Sequence, residues 1–114
     1  MRTEVKLFKA LSDSNRIRIL KMLEIRPLCV CEITEILGLA PSTVSKHLYL
    51  LRDTELISDT KEGKWVNYHL QAGADDKQAQ QLLKLLARWL PDDETIRNDQ
   101  QMANEVDRNI LCGG

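Results

Sequence analysis

The stretch "LGLAPSTVSKHLYLLR", residues 37–52, decides the fold of this 114-residue chain. Its glycine is typical of a helix end and its proline of a first helical turn, so it predicts a helix over about Pro41–Arg52 after a tight turn. At about 3.6 residues per turn, Val44, Leu48 and Leu51 share one face of that helix. We expect this face to be buried and the opposite face to be exposed.

The exposed face of this helix carries no acidic side chain from Pro41 to Leu51. A helix that merely faces solvent usually includes glutamate, whereas one that faces the DNA backbone avoids carboxylates. Hydroxyl, basic and tyrosine side chains can donate to phosphates or base edges. The predicted DNA-contacting residues of the helix are Ser42, Thr43, Ser45, Lys46, His47, Tyr49 and Arg52. His47 borders the buried face, so we expect it to pack or to contact the DNA backbone rather than bind a metal.

Three helices are predicted before this one. Apolar spacing predicts the first over Thr3–Leu11, and the second follows "LSDSN" and runs to about Glu24. A third carries Ile33, Ile36 and Leu37 inward and ends at the glycine of the turn. Residues 30–52 are therefore predicted to form a helix-turn-helix pair, whose second helix is expected to read DNA.

The next segment predicts a β-hairpin. Leu56–Thr60 and Trp65–Leu70 suit strands, and "KEGK" connects them. Lys61 and Lys64 flank the glycine of this turn and are predicted to neutralise phosphates, although a solvated charged turn explains them equally well from composition alone. The predicted fold is mainly α with a β-hairpin wing, a winged helix-turn-helix.

The rest of the chain predicts a fifth helix over about Asp76–Leu90, which is too apolar for one buried face, and then a polar C-terminal segment. We expect residues 1–91 to form the winged helix-turn-helix domain and residues 92–114 to form a sixth helix or a loose tail that carries Cys112.

Composition indicates one soluble unit without a membrane partner. Neither a membrane-spanning run nor a signal peptide appears, so we expect a cytoplasmic protein. Residues 1–70 carry 11 Lys+Arg and 9 Asp+Glu, a net +2, and residues 71–114 carry 5 and 8, a net −3. This asymmetry is weak for a DNA-binding protein. Three cysteines, two of them separated by one residue, favour reduced thiols over a disulfide framework.

Cys29 and Cys31, in "PLCVCEITEIL", lie beside the predicted reading helix. Side chains two residues apart point about 200° apart around a helix. Both thiols can therefore bind one ion only if the segment begins outside the helix. Pro27 makes such a start available. Thiolates select soft ions, among them trivalent arsenic or antimony and cadmium. An ion that draws the two thiols together would deform the segment that positions Ser42 to Lys46 and weaken DNA binding.

The chain resembles the ArsR/SmtB family of winged helix-turn-helix repressors in "LSDSNRIRILKML", "LCVCEITEILGLAPSTVSKHLYLLRDTELI" and "KEGKWVNYHL". This resemblance implies a homodimer that binds a pseudo-palindromic operator, without a permanent cofactor. It implies a dimer interface on the first helix and on the apolar fifth helix, from which we select Val5, Phe8, Leu82, Leu83, Leu86 and Trp89.

The segment "LCVCE" resembles the cysteine box of arsenite-responsive members, in which three thiols bind As(III). Thr34 stands where that box has its third cysteine. The resemblance therefore predicts a repressor released by As(III) or Sb(III). The third ligand is either Cys112, from the same chain or from the other subunit, or a solvent ligand beside two thiols.

Other functions remain open. A repressor of the same fold could respond to thiol oxidation, cadmium or lead, or its DNA binding could ignore thiophilic ions. The cysteines could also be small buried apolar residues. An enzyme is not expected, because a thiol reductase needs an activated cysteine and only Arg26 is a nearby cation.

Overall fold

The computed structural model describes residues 1–71 and 77–111, with only the backbone at Lys77. Within these residues the elements, in chain order, are α1 Arg2–Leu11, α2 Ser14–Leu23, β1 Leu28–Cys29, α3 Val30–Leu37, α4 Pro41–Asp53, β2 Ile57–Glu62, β3 Trp65–Leu70, α5 Lys77–Ala87, α6 Glu94–Glu105 and α7 Arg108–Leu111. The prediction of a mainly helical winged helix-turn-helix is confirmed.

The turn between α3 and α4 forms as its sequence predicts. Gly38 adopts a left-handed conformation, φ 69°, and its N–H donates to the carbonyl oxygen of Thr34 at 2.9 Å. This closes α3, because glycine enters that region without a steric penalty. In α4 the predicted inner residues Val44, Leu48 and Leu51 are fully buried in the core. The outer face of α4 is left exposed.

The wing is part of a three-stranded antiparallel sheet with the order β1-β3-β2. β2 and β3 pair from Ile57 with Leu70 to Glu62 with Trp65, as the hairpin prediction requires. The short strand β1 pairs Leu28 with Tyr68 and Cys29 with Asn67. The sequence analysis missed β1, because a two-residue strand has no periodic pattern to detect. β1 joins the thiol segment directly to the wing.

The fifth helix is shorter than the sequence predicts. α5 ends at Ala87, and the chain then turns through Leu90, which has φ 61°. The predicted first residue of this helix, Asp76, lies outside the described residues. The apolar pattern continued past the end of the helix because Trp89 and Leu90 are hydrophobic although both are exposed.

The C-terminal segment contains α6 and α7 as far as residue 111. α6 packs against α2 and α3. The Arg18 guanidinium donates to both carboxylate oxygens of the buried Asp99, at 2.7 and 3.0 Å, and Ala103 is fully buried. Such a bidentate pair fixes orientation as well as contact. The division at residue 91 stays a prediction.

No helix in the described parts of the chain is long and apolar enough to span a bilayer.

Candidate functional site

The outer face of α4 is open to solvent as predicted for a DNA-reading surface. Ser42, Thr43, Ser45 and Lys46 are exposed, and Tyr49 is 60% exposed. A shallow cavity of about 440 Å³ lies on this face, lined by Ser45, Lys46, Tyr49 and Leu50. The Ser45, Lys46 and Tyr49 side chains can donate to phosphate or base-edge acceptors, and no carboxylate lines the cavity.

His47 and Arg52, also predicted to contact DNA, have partners within the chain. His47 Nδ1 lies 3.1 Å from an Arg16 guanidinium nitrogen, and Arg16 also donates to the carbonyl oxygens of Lys9 and Ala10 at the end of α1. An Arg52 guanidinium nitrogen donates to the Asp59 carboxylate on β2 at 3.0 Å. The two residues thus fix α4 against α1 and the wing, and their contact with DNA stays a prediction.

The tip of the wing presents two cations, Lys64 in the turn and Lys61, which the sequence analysis placed in the connection but which lies near the end of β2. Lys61 and Lys64 are exposed, and Lys64 Nζ lies 4.9 Å from the centroid of the Trp65 ring. The turn is therefore able to approach a phosphate backbone.

The thiol segment begins outside a helix, as joint binding by its cysteines requires. Cys29 is the N-cap of α3 with φ −87° and ψ 170°, and Cys31 is the second residue of the helix. The Cys29 thiol is free and buried, whereas the Cys31 side chain is exposed and disulfide-bonded, so the expectation of reduced thiols is wrong for Cys31 in this structure. Cys112, the predicted third ligand, lies outside the described residues. Within residues 1–71 and 77–111 there is no group of three or more His, Cys, Asp or Glu side chains that could hold a metal ion.

Glu32 fixes the backbone of Cys29. One of its carboxylate oxygens accepts from the Cys29 N–H at 2.9 Å, and the other accepts from an Arg26 guanidinium nitrogen at 3.0 Å. Burial raises the pKa of the Cys29 thiol, and the nearby Glu32 carboxylate raises it further. Hydrogen bonds from the main-chain N–H groups of Cys31 and Glu32 lower this pKa, but by less. The thiol is therefore protonated at neutral pH.

Arg26 ties the thiol segment to the end of α6. Its Nε donates to the carbonyl oxygen of Ala103 at 2.7 Å, and a terminal nitrogen donates to that of Val106 at 2.8 Å. The sequence analysis considered Arg26 only as a cation near the cysteines, because its partners are almost eighty positions away. Thr34, where the family box has its third thiol, has a buried hydroxyl without a hydrogen-bond partner among the described residues.

The predicted dimer-interface residues divide into two groups. Val5, Phe8 and Trp89 are 42%, 67% and 55% exposed in the single chain. Leu82 and Leu83 are half-buried, and Leu86 is buried in the core. Val5, Phe8 and Trp89 therefore have exposed apolar surface that is available for contact with a second copy, whereas Leu86 has almost none.

Comparison with known proteins places the chain among regulators. Residues 13–59 match the family model described as bacterial regulatory protein, arsR family. The Escherichia coli K12 arsenical resistance operon repressor is 34% identical over 96% of this chain and 89% of its own. The arsenic resistance transcriptional regulator ArsR2 of Pseudomonas putida KT2440 is 33% identical over 98% of this chain and 100% of its own.

A solved structure agrees with this assignment. HlyU from Vibrio cholerae matches with 33% identity and a TM-score of 0.64 over 76% of this chain and 90% of its own, and the reduced form of HlyU also matches, with a TM-score of 0.63. The residues that match the family model include the helix-turn-helix pair, whose described geometry leaves the outer face of α4 open. This chain belongs to the ArsR family of bacterial winged helix-turn-helix regulatory proteins.

Proposed function

We propose that this protein is a transcriptional repressor that leaves its operator when trivalent arsenic or antimony binds the reduced thiols of Cys29, Cys31 and Cys112. The observation that carries the proposal is the place of Cys29. It is the last residue of β1, paired with Asn67 of the wing, and also the N-cap of the helix that precedes the reading helix. A ligand that displaces Cys29 acts on both DNA-facing elements. The names of the two arsenical repressors that this chain resembles support the choice of ligand.

The chemistry suits neutral thiols. Trivalent arsenic arrives as a hydroxide, and each new As–S bond replaces one As–OH bond. The proton of the thiol leaves with the hydroxide as water, so three thiols release three waters without oxidation or reduction. Soft sulfur donors favour such a ligand over hard ions.

The geometry supports coupling to DNA. Cys29 is extended and buried while Cys31 is helical and exposed, so one ligand that joins both sulfurs has to pull the start of α3 out of its present position. α3 packs against α4, so this change reaches the reading helix. A ligand weakens DNA binding by its differential affinity for the two forms, typically about 1 to 3 kcal/mol.

The described end of the chain supports Cys112 as the third ligand. Leu111, the last residue of α7, lines a cavity of about 240 Å³ together with Glu35 of α3. Glu35 is four residues after Cys31 and therefore on the same side of α3. Cys112 follows Leu111 directly, at a Cα separation of about 3.8 Å. Its position itself lies outside the described residues.

Replacing Cys112 with serine is expected to weaken arsenite binding about tenfold or more, a loss of about 1.4 kcal/mol or more, because one of three As–S bonds is lost. Binding of a monomethylated trivalent arsenical, which has only two places for sulfur, is expected to stay unchanged. The measurement is a titration of the ultraviolet As–S absorption of the reduced protein, with Asn109→Ser as the control in the same segment.

A rescue variant sharpens this test. Thr34→Cys in the Cys112→Ser protein puts a thiol at the family's third position and is expected to restore arsenite affinity. Equal arsenite affinity of wild type and Cys112→Ser would contradict a role for Cys112 and leave a site of two thiols and solvent.

We propose that the operator is bound by a homodimer. Val5, Phe8 and Trp89 give a single chain exposed apolar surface on α1 and after α5, which pairing would remove from water. A twofold dimer presents two copies of α4 to two half-sites.

A second candidate function is redox control, favoured by the disulfide at Cys31 and by the likeness to reduced HlyU. A bridge from Cys31 would most readily use Cys112, since a direct bridge between Cys29 and Cys31 is strained. This candidate requires that an oxidant release the operator without any metalloid and that a dithiol restore binding. Cadmium and lead belong in the same assay as alternative inducers.

A further inference from the structure

Arg108 connects the C-terminal segment to the wing. One guanidinium nitrogen donates to the Asn67 side-chain oxygen at 2.9 Å, and another donates to the Glu62 carboxylate at 2.7 Å. The guanidinium carbon lies 5.0 Å from the centroid of the Trp65 ring. Three wing side chains thus converge on one arginine of α7, and its side chain is only 22% exposed.

This contact lies beside the two lysines of the wing that are predicted to contact DNA. Glu62 is next to Lys61, and Asn67 donates from its side-chain nitrogen to the same Glu62 carboxylate at 3.1 Å. Arg108 therefore orients the end of β2 and the turn through its contacts with Glu62 and Asn67.

The same arginine lies at the end of a continuous path from the thiol segment. The Cys29 backbone N–H donates to Glu32, and Arg26 also donates to Glu32. Arg26 donates in addition to the carbonyl oxygen of Val106, two residues before Arg108. Every contact in this path is a hydrogen bond of 3.0 Å or less. Asn67 closes the path, since it also pairs with Cys29 across the sheet.

We propose that Arg108 is a positioning residue that holds the wing in its operator-binding form and loses this contact when the thiol site is filled. The second half of this statement rests on the proposed function, because a metalloid that displaces Cys29 would disturb the hydrogen bonds that run through Glu32 and Arg26 to the carbonyl oxygen of Val106, just before α7. α7 then serves as the mechanical connection between inducer and wing.

The test measures four operator affinities, those of wild type and Arg108→Gln, each with and without arsenite. Without arsenite, Arg108→Gln is expected to bind operator roughly three- to tenfold more weakly, the loss of one partly buried ion pair with its hydrogen bonds. With arsenite the two proteins are expected to bind equally weakly, because wild type has already lost the contact. The release ratio of the variant is therefore smaller by the same factor. Arg97→Gln, which removes an exposed charge from α6, is the matched control and is expected to behave as wild type.

Two further measurements distinguish a positioning residue from a residue that contacts phosphate directly. The slope of log affinity against log salt should stay unchanged in Arg108→Gln, whereas Lys64→Gln should reduce it by about 0.9. In a Glu62→Gln background, loss of Arg108 should cost less than in wild type, because the pair is already broken.

Several outcomes would overturn the proposal. If ligand-free Arg108→Gln binds operator with wild-type affinity, Arg108 has no positioning role. If its salt slope is reduced, Arg108 is a phosphate contact instead. An unchanged release ratio removes the coupling to arsenite while leaving the proposed function intact. If wild type itself shows no release, the proposed function and the coupling fail together, and the ligand-free affinities still decide the positioning role.

Discussion

Arsenite is expected to release the operator from the wild-type protein but not from Cys31→Ser. The ligand-free variant should bind operator within about twofold of wild type, because Cys31 is exposed and belongs to α3 rather than to the reading helix. The arsenite-dependent loss of affinity should fall from about 5- to 150-fold to none, since a hydroxyl is a poor donor for a soft ligand. Fluorescence anisotropy of a labelled operator, under a reductant, measures both quantities.

Cys31 is a better site for this test than Cys29. Cys29 is the N-cap of α3 and also pairs with Asn67 of the wing, so a substitution there can change the ligand-free fold and operator affinity by itself. Cys29→Ser is therefore the second variant, with its thermal midpoint measured alongside. Full release by arsenite in both variants would contradict the thiol site.

Ser45→Glu is expected to abolish specific operator binding. The substitution puts a carboxylate on the exposed face of α4, which has no acidic side chain from Pro41 to Leu51. Repulsion between this carboxylate and the DNA phosphates should cost several kcal/mol, or roughly a hundredfold or more in affinity. Because Ser45 is exposed, the fold and its unfolding midpoint should change little.

Asn98→Glu is the matched control, since it adds the same charge on an exposed position of α6. It is expected to weaken operator binding less than twofold at about 0.15 M salt, where charges beyond roughly 8 Å are screened. If Ser45→Glu and Asn98→Glu bind operator equally well, the outer face of α4 does not read DNA.

The parts of the fold that follow from local chemistry were predictable from the sequence. Gly38, the proline at the start of α4 and the spacing of Val44, Leu48 and Leu51 each act within a few residues, and all appear as expected. The hairpin is equally local. The two-residue strand β1 was not predictable, because it forms only when β3 is there to pair with it.

The polar contacts that organise the candidate site could not be predicted from the sequence. Arg26 meets the end of α6, Arg108 meets the wing, and Arg16 meets His47, all across large separations in the chain. Such pairs leave no periodic pattern in the sequence. An arginine with a distant partner therefore cannot be distinguished, from the sequence, from an arginine that faces solvent. The cysteine pair could be recognised because its spacing is local, while its place between sheet and helix could not.

The central claim is that the thiol site and the operator are thermodynamically coupled, and reciprocity tests it most directly. The affinity of the reduced protein for arsenite is measured with and without a saturating operator duplex. The operator should weaken arsenite binding by the same factor by which arsenite weakens operator binding, about 5- to 150-fold. Equal arsenite affinity with and without operator would contradict the account.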